Sequence, residues 1–420
     1  GARTIDPMTL AASARLREDV RTTSLVTLAH GTSHFFQLLL PPLFPLLVAE
    51  FGFSYSELGL LLSVFFVTSG IGQALAGFVV DKVGARPVLF GSLCLFAAAA
   101  VAAASSTGYG GFVLVVVLSG LGNAPFHPVD FTILNRRVSS ERLGHAYAAH
   151  GISGNLGWAA SPILAVIAAA SGSWRIACLS AAVWAVVVMA LLFWQRDALA
   201  EQAPKTENAG KSAAAMQEHP LAFLRLPAVW LCFAFFFWTT CSLTAIQSFA
   251  APALERLYQM PLALAASVVT GFMLCSAAGM VLGGFIVGRV KRMELTIGVC
   301  LMASALLMVV VGLALTSGIV GLVIAAVSGF GIGIAGPSRD MLIKTATPPG
   351  ATGRVYGMVY SGLDLGSSVA APVWGAMMDG HWYSGIFYGS AVALAISVAA
   401  AAFVGAGVAA RRLSPATAPA

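Results

Sequence analysis

The sequence predicts an all-α integral membrane protein, with twelve transmembrane helices in two pseudo-symmetric six-helix bundles. Three observations carry that prediction. Of 420 residues, 58% are hydrophobic and only 10% charged, with a mean hydropathy of +0.87. A water-soluble globular chain carries roughly 25% charged residues, so water is not the solvent for most of this surface. Apolar runs of about 20 residues, long enough to cross a bilayer as a helix, recur along the whole chain. Finally, the second half rewrites the first. Ser328-Gly329-Phe330-Gly331 repeats Ser119-Gly120-Leu121-Gly122, Pro337 falls where Pro128 does, and Asp130 lands on Arg339.

The expected spans are roughly 24–48, 57–80, 87–105, 111–135, 146–171, 174–195, 227–250, 262–288, 294–316, 318–344, 354–378 and 382–409. Lipid offers the backbone no hydrogen-bond partners, so each must be a helix. They divide the chain into an N-terminal segment 1–22, a bundle 23–195, a polar linker 196–226, a second bundle 227–410 and a tail 411–420. Residues 1–7, ahead of Met8, read as an added leader. No cleavable signal peptide is expected, because the residues before the first span are polar and charged.

When alternate loops are assigned to one side, 23 Lys and Arg residues sort almost completely: only Arg175 and Arg256 fall opposite. Basic residues accumulate on the cytoplasmic side. Both termini are therefore expected there, in what reads as a bacterial inner membrane. The net charge of +6 reflects this topology. A nucleic-acid partner is excluded, since that needs basic residues gathered on one face. The six cysteines fall within spans at no metal-ligand spacing and are expected as buried free thiols.

In the first span His30 and His34 stand four apart and share a helix face, ahead of Pro41, Pro42 and Pro45. Ionisable residues are costly in lipid and should face a partner or a cavity. The second span ends in Gly77-Phe-Val-Val-Asp81-Lys82-Val-Gly84-Ala-Arg86. An acid at this helix end can sit against the N-terminus of another helix, whose dipole favours an anion; the expected partner is the start of the eleventh span, near Gly353. In the second half the copy reads Gly284-Phe-Ile-Val-Gly288-Arg289, without the acid.

The fourth span sets Ser119, Asn123, His127, Asp130 and Leu134 along one stripe. Pro128 removes a backbone donor, frees the carbonyl of Ala124 and permits a bend. The fifth span carries His150, Asn155 and a run of glycines, and the eleventh repeats its register with Asp364 at the place of Asn155. Glycines at this density let helices approach closely. His150 and Asp364 add ionisable groups that such a surface does not need. The seventh span is rich in aromatics and carries Gln247; the eighth, with Gly279, Gly283 and Gly284, reads as a packing seam. In the tenth, Arg339 either snorkels to the cytoplasmic edge beside Asp340 or meets Asp130 across the pseudo-two-fold axis that relates such repeats.

The loop motif Gly77, Asp81, Lys82, Gly84, Arg86 resembles the Gly-xxx-Asp-Arg/Lys-x-Gly-x-Arg signature of the major facilitator superfamily. The resemblance extends over nearly the whole chain. Within that family, Gly-Leu-Gly-xxx-Phe126-His127-Pro128, with the His30-xxx-His34 pair, is similar to the fosmidomycin-resistance-like exporters. The acid that commonly follows their His-Pro stands one place later here, at Asp130. The resemblance implies the major facilitator fold and a role for Asp81 in holding the cytoplasmic ends of the two halves together. It also implies secondary active transport of a small organic molecule, anionic or amphiphilic, by proton-coupled efflux. Asp130, His127 and His34 are then expected to carry the proton. Arg339, His30, His34, Asn123, Gln247, His150 and Asp364 are expected to line the substrate path, and the loop motif to gate it. Uptake of an organic anion such as a monocarboxylate, or lipid transport, is the alternative; a receptor without turnover comes last. No enzyme activity, cofactor or metal is expected, because no metal-ligand or nucleophile motif accompanies these residues. The expected partners are the substrate, protons and membrane lipid, around a monomer.

Overall fold

The helices of this protein break where proline or a π turn interrupts the backbone ladder. The computed structural model describes residues 7–200, 225–346 and 352–413, with side chains over 13–200, 225–342 and 358–407. The body of the linker, with Lys205 and Lys211, and the side chains of Lys344, Arg354, Arg411 and Arg412 lie outside the described residues.

The first span is α1 (Pro7–Gln37), a 3₁₀ turn at Pro41–Leu43 and α2 (Phe44–Phe51). Pro41 and Pro42 donate no backbone hydrogen bond, so a helix cannot pass through them unbroken. The second and third spans are α3 (Tyr55–Val83) and α4 (Ala85–Ser105), separated by Gly84 at φ +94°, a conformation glycine adopts without strain. The fourth is α5 (Tyr109–Asn123) and α6 (Phe126–Arg137); the fifth is α7 (Ser140–Ala160) and α8 (Ile163–Ser171), interrupted at Pro162; the sixth is α9 (Trp174–Trp194). In the second half, α10 (Pro227–Thr244), a π turn at Ala245–Phe249 and α11 (Ala250–Tyr258) form one span. They are followed by α12 (Leu262–Val287), α13 (Met293–Gly312), α14 (Gly318–Ala346), α15 (Thr352–Asp379) and α16 (Tyr383–Leu413).

The expected bend in the fourth span is a break at Ala124–Pro125, one turn before Pro128. Its repeat, α14, stays unbroken through Pro337. The first copy has two prolines three residues apart where the second has one, which accounts for the difference. Eleven helices among the described residues are long and apolar enough to cross a membrane. The remaining expected span is α15, whose Ser361, Gly362, Asp364, Gly366, Ser367 and Ser368 lower its hydropathy.

By packing, the chain forms two compact units: residues 1–39 with 68–206, and 40–67 with 207–420. The sequence-based boundary put 40–67 in the first bundle; packing groups it with the second unit. In the first unit α1 lies on α7, and α4 on α5 and α9. Gly157 makes the α1–α7 approach possible, because a side chain there would collide with the Gly31 carbonyl. In the second unit α12 packs along α14. Gly279 and Gly283 abut the Phe330 and Ile334 backbone, while Gly329 and Gly333 abut the Phe272 and Ser276 carbonyls. The expected packing seam of the eighth span is thus a reciprocal one, of the kind small residues permit between membrane helices, but Gly284 has no part in it: a β-carbon there would meet nothing within 4 Å.

A second seam in this unit holds 55–67 against α15. The Asp379 carboxylate accepts from the Tyr55 and Ser56 amides (2.7 and 2.9 Å) and from Ser56 Oγ. Ser63 Oγ donates to the Ser368 carbonyl. Between them, Gly59 faces the Ala371 carbonyl and Gly375 the Tyr55 carbonyl, with no room for a β-carbon at either.

Candidate functional site

The site is built in the first unit around Asp130, which is fully buried in α6. His30 Nδ1 from α1 and His150 Nε2 from α7 each lie 3.0 Å from Asp130 Oδ2. With Asp130 ionised, the ring N–H donates in each bond. Asp130 Oδ1 has no hydrogen-bond partner among the described residues. The His127 ring centroid is 5.3 Å from His30 and 5.9 Å from His150, and that of His34 is 4.5 Å from His30. Two imidazoles thus bond one carboxylate, and the rings of His127 and His34 cluster beside them. No lysine or arginine pairs with that carboxylate among the described residues.

The local backbone explains this convergence. His30 and His34 occupy adjacent turns of α1. His34 fits against α7 because residue 154 is glycine: a β-carbon there would stand 2.7 Å from His34 Cε1. The other face of the His34 ring meets Trp158, with centroids 4.3 Å apart. Trp158 Nε1 donates to Gln37 Oε1 (2.9 Å), Gln37 Nε2 to Asn123 Oδ1 (3.1 Å), and Asn123 Nδ2 to Ser69 Oγ (2.8 Å). This polar chain fixes α1, α3, α5 and α7 to one another beside the histidines. His34 Nδ1, buried, has no hydrogen-bond partner among the described residues.

A carboxylate in so dry a place is costly to keep charged unless something neutralises it. The neighbours able to do so are imidazoles, each of which can carry a proton on both ring nitrogens. Nitrogens of His30, His127 and His150 lie within 4.8 Å of one another. The His30 and His150 rings, however, stack with centroids 3.6 Å apart and planes 27° from parallel. The nitrogens of these two rings nearest the acid both address Asp130 Oδ2, so the carboxylate itself occupies the point on which they converge.

Sequence reasoning grouped Asp130 with His127 and His34. The structure brings those together and adds His30 and His150 as the groups bonded directly to the acid. Gln37, Ser69 and Trp158 went unsingled as site residues. Gln37 had a legible signal, standing three residues after His34 on the same face; Ser69 had none.

The other expected residues lie elsewhere. Asp81 and Lys82 are exposed at the end of α3, with Gly77, Gly84 and Arg86 half-buried nearby. Arg339, in the second unit, donates from Nε to Asp340 Oδ1 (2.8 Å), and its guanidinium stands 4.8 Å from the Phe236 ring centroid. Gln247 is buried in the π turn, with Nε2 unpartnered among the described residues. π turns often mark functional positions. Asp364 is half-buried on α15. All six cysteines are free thiols, but only Cys178, Cys232 and Cys241 are buried as expected; Cys275 and Cys300 are half-buried and Cys94 is exposed on an outward face of its span.

The family profile described as Major Facilitator Superfamily matches residues 26–249 and 239–419. The chain belongs to this superfamily. It is a multi-pass integral membrane protein of a transporter family, and not an enzyme. Over 182 residues it is 29% identical to the fosmidomycin resistance protein of Escherichia coli (strain K12), a match covering 43% of this chain and 45% of that one. The chain thus spans less than half the length of this relative. It is 24% identical over 376 residues to the uncharacterized MFS-type transporter YfnC of Bacillus subtilis (strain 168), covering 84% of this chain and 86% of that one. Among solved structures, a D-xylose-proton symporter superposes with a TM-score of 0.75 at 16% identity, over 92% of this chain and 97% of that one.

Proposed function

We propose that this protein is a proton-coupled exporter of a small organic molecule, anionic or amphiphilic, working by alternating access in a bacterial inner membrane with both termini cytoplasmic. The observation that carries the reading is Asp130, buried, bonded to two imidazoles and free on its second oxygen. A carboxylate so placed has to change its proton count when its surroundings change, and intramembrane acids of this kind mark proton relays. Asp130, with His127 and His34 and relayed through His30 and His150, carries the proton. The likeness to a fosmidomycin resistance protein favours the outward direction.

Substrate-contacting roles go to Asn123, His30, His34 and His150 in the first unit, and to Gln247, Asp364 and Arg339 in the second. Arg339 neutralises an anionic group, its planar fork suiting a carboxylate or phosphonate. Asp81, with Gly77, Lys82, Gly84 and Arg86, gates the cytoplasmic side. The protein acts as a monomer.

The test starts from a thermal-shift screen of small organic acids and amphiphiles on purified protein, repeated with Arg339→Ala; a ligand that binds the folded state raises Tm. With the best hit as probe, Asp130→Asn should abolish gradient-driven flux in proteoliposomes and leave exchange of labelled probe partly intact. Full gradient-driven flux in that variant removes Asp130 from the mechanism. Flux in inverted against right-side-out vesicles decides the direction.

A further inference from the structure

The Asp379 seam is not used by the proton site, and it has a counterpart that the sequence had already marked. α3 ends in Asp81, an acid expected to serve the N-terminus of α15. α15 ends in Asp379, an acid bonded to the N-terminus of α3. On that expectation the two helices carry the same device at opposite ends. We propose that Asp379 is a gate residue, the opposite-face counterpart of Asp81, whose bonds to Tyr55 and Ser56 are made when that face is shut and broken when it opens.

Three observations support this. First, Asp379 reaches two amides that the cap of α3 leaves open. Ser54 and Glu57 already form a reciprocal capping box: Glu57 Oε2 accepts from the Ser54 amide (2.8 Å) and hydroxyl, and Ser54 Oγ accepts from the Glu57 amide (3.1 Å). The box serves the Ser54 and Glu57 amides, and those of Tyr55 and Ser56 are left to the distant carboxylate, whose departure would open them to water. Second, the bonds lie 323 and 324 residues apart in sequence, so they report on tertiary docking. An anion at a helix N-terminus also gains from the dipole. Third, α3 runs unbroken from Tyr55 to Val83, yet residues up to Val67 pack with the second unit and those from Thr68 with the first. One helix serves both units, and what fixes its Tyr55 end is the seam to α15.

The inference rests on the alternating-access reading but is tested without a substrate. Ser63→Cys places a thiol inside the seam. Its labelling by a membrane-impermeant maleimide is followed in proteoliposomes, as the increment over the parent chain, together with Tm. Asp379→Asn keeps the shape and removes the charge; it should raise the labelling rate several-fold. Asp379→Glu should restore it towards the parent value, and Ser56→Ala, a gentler change, should raise it in the same direction. Glu57→Gln, which weakens only the helix's own cap, should lower Tm and leave labelling unchanged. An unchanged rate in both Asp379→Asn and Ser56→Ala overturns the proposal. So does Glu57→Gln matching Asp379→Asn, since the seam then merely reports fraying. Because no flux is measured, a failure here leaves the Asp130 test standing, and the reverse.

Discussion

Two glycines beside His34 separate stability from function at the level of single residues. A β-carbon at Gly157 meets the Gly31 carbonyl and the backbone end of His34, neither of which can move far. Gly157→Ala should cost about 1–3 kcal/mol, as overpacking does, and show as a lower Tm. At Gly154 the obstacle is the His34 imidazole itself, a side chain able to rotate away. Gly154→Ala should leave Tm within a degree or two of the parent, on the order of 0.5 kcal/mol, and slow gradient-driven flux much more. Equal losses in both assays for the two variants would show that His34 only packs. At this scale part of the site was legible: His30, His34 and Gln37 share one face of α1, and Asp130 stood out as an acid inside a span. What spacing did not disclose is that His30 and His150, 100 positions before and 20 after Asp130, would share one oxygen of it.

Among elements, the broken helices matter most. α1 ends at Gln37 and α10 gives way to a π turn at Ala245. With the register that sets Asp130 on Arg339, Gln37 falls on Ile246, inside that turn. The first helix of each copy is therefore interrupted at the same level, as in transporters that build binding sites from discontinuous helices. Pro41 and Pro42 account for the first interruption, although the span was expected to run unbroken over 24–48; Ala-Ile-Gln-Ser-Phe contains nothing that predicts the second. α5 and α6 are likewise separated at Ala124–Pro125, which leaves His127 and Asp130 on the shorter piece. Pro128→Ala restores a donor for the Ala124 carbonyl. It should raise or preserve Tm and reduce flux, because a straightened helix carries the His127–Asp130 turn away from α1. Unchanged flux would mean that the break is set by Pro125 alone.

For the whole molecule, composition and repeat were enough to read the class and the helical count, since both follow from solvent and length. The packing units were less legible. Residues 40–67 lie early in the chain but pack with the second unit, and the contacts responsible involve glycine and serine residues that no hydropathy pattern distinguishes. The predicted orientation rests on basic residues that collect on one side. A reporter tag at either terminus should be digested by protease in inverted vesicles and protected in right-side-out ones. The opposite pattern reverses the assignment of the Asp81 loop as well, because one set of loops carries both arguments.

The Asp379 contact has a short reach. Its three donors come from two neighbouring residues, and the flanking helices touch backbone to backbone at Gly59 and Gly375. Hydrogen bonds weaken steeply once stretched, so a separation of little more than an ångström loses all three at once, with no partly open stage in between. The clasp behaves as a snap fastener. Distances between spin labels on the outer turns of α3 and α15 should then fall into two distinct populations, whose ratio shifts in Asp379→Asn while the distances themselves stay put.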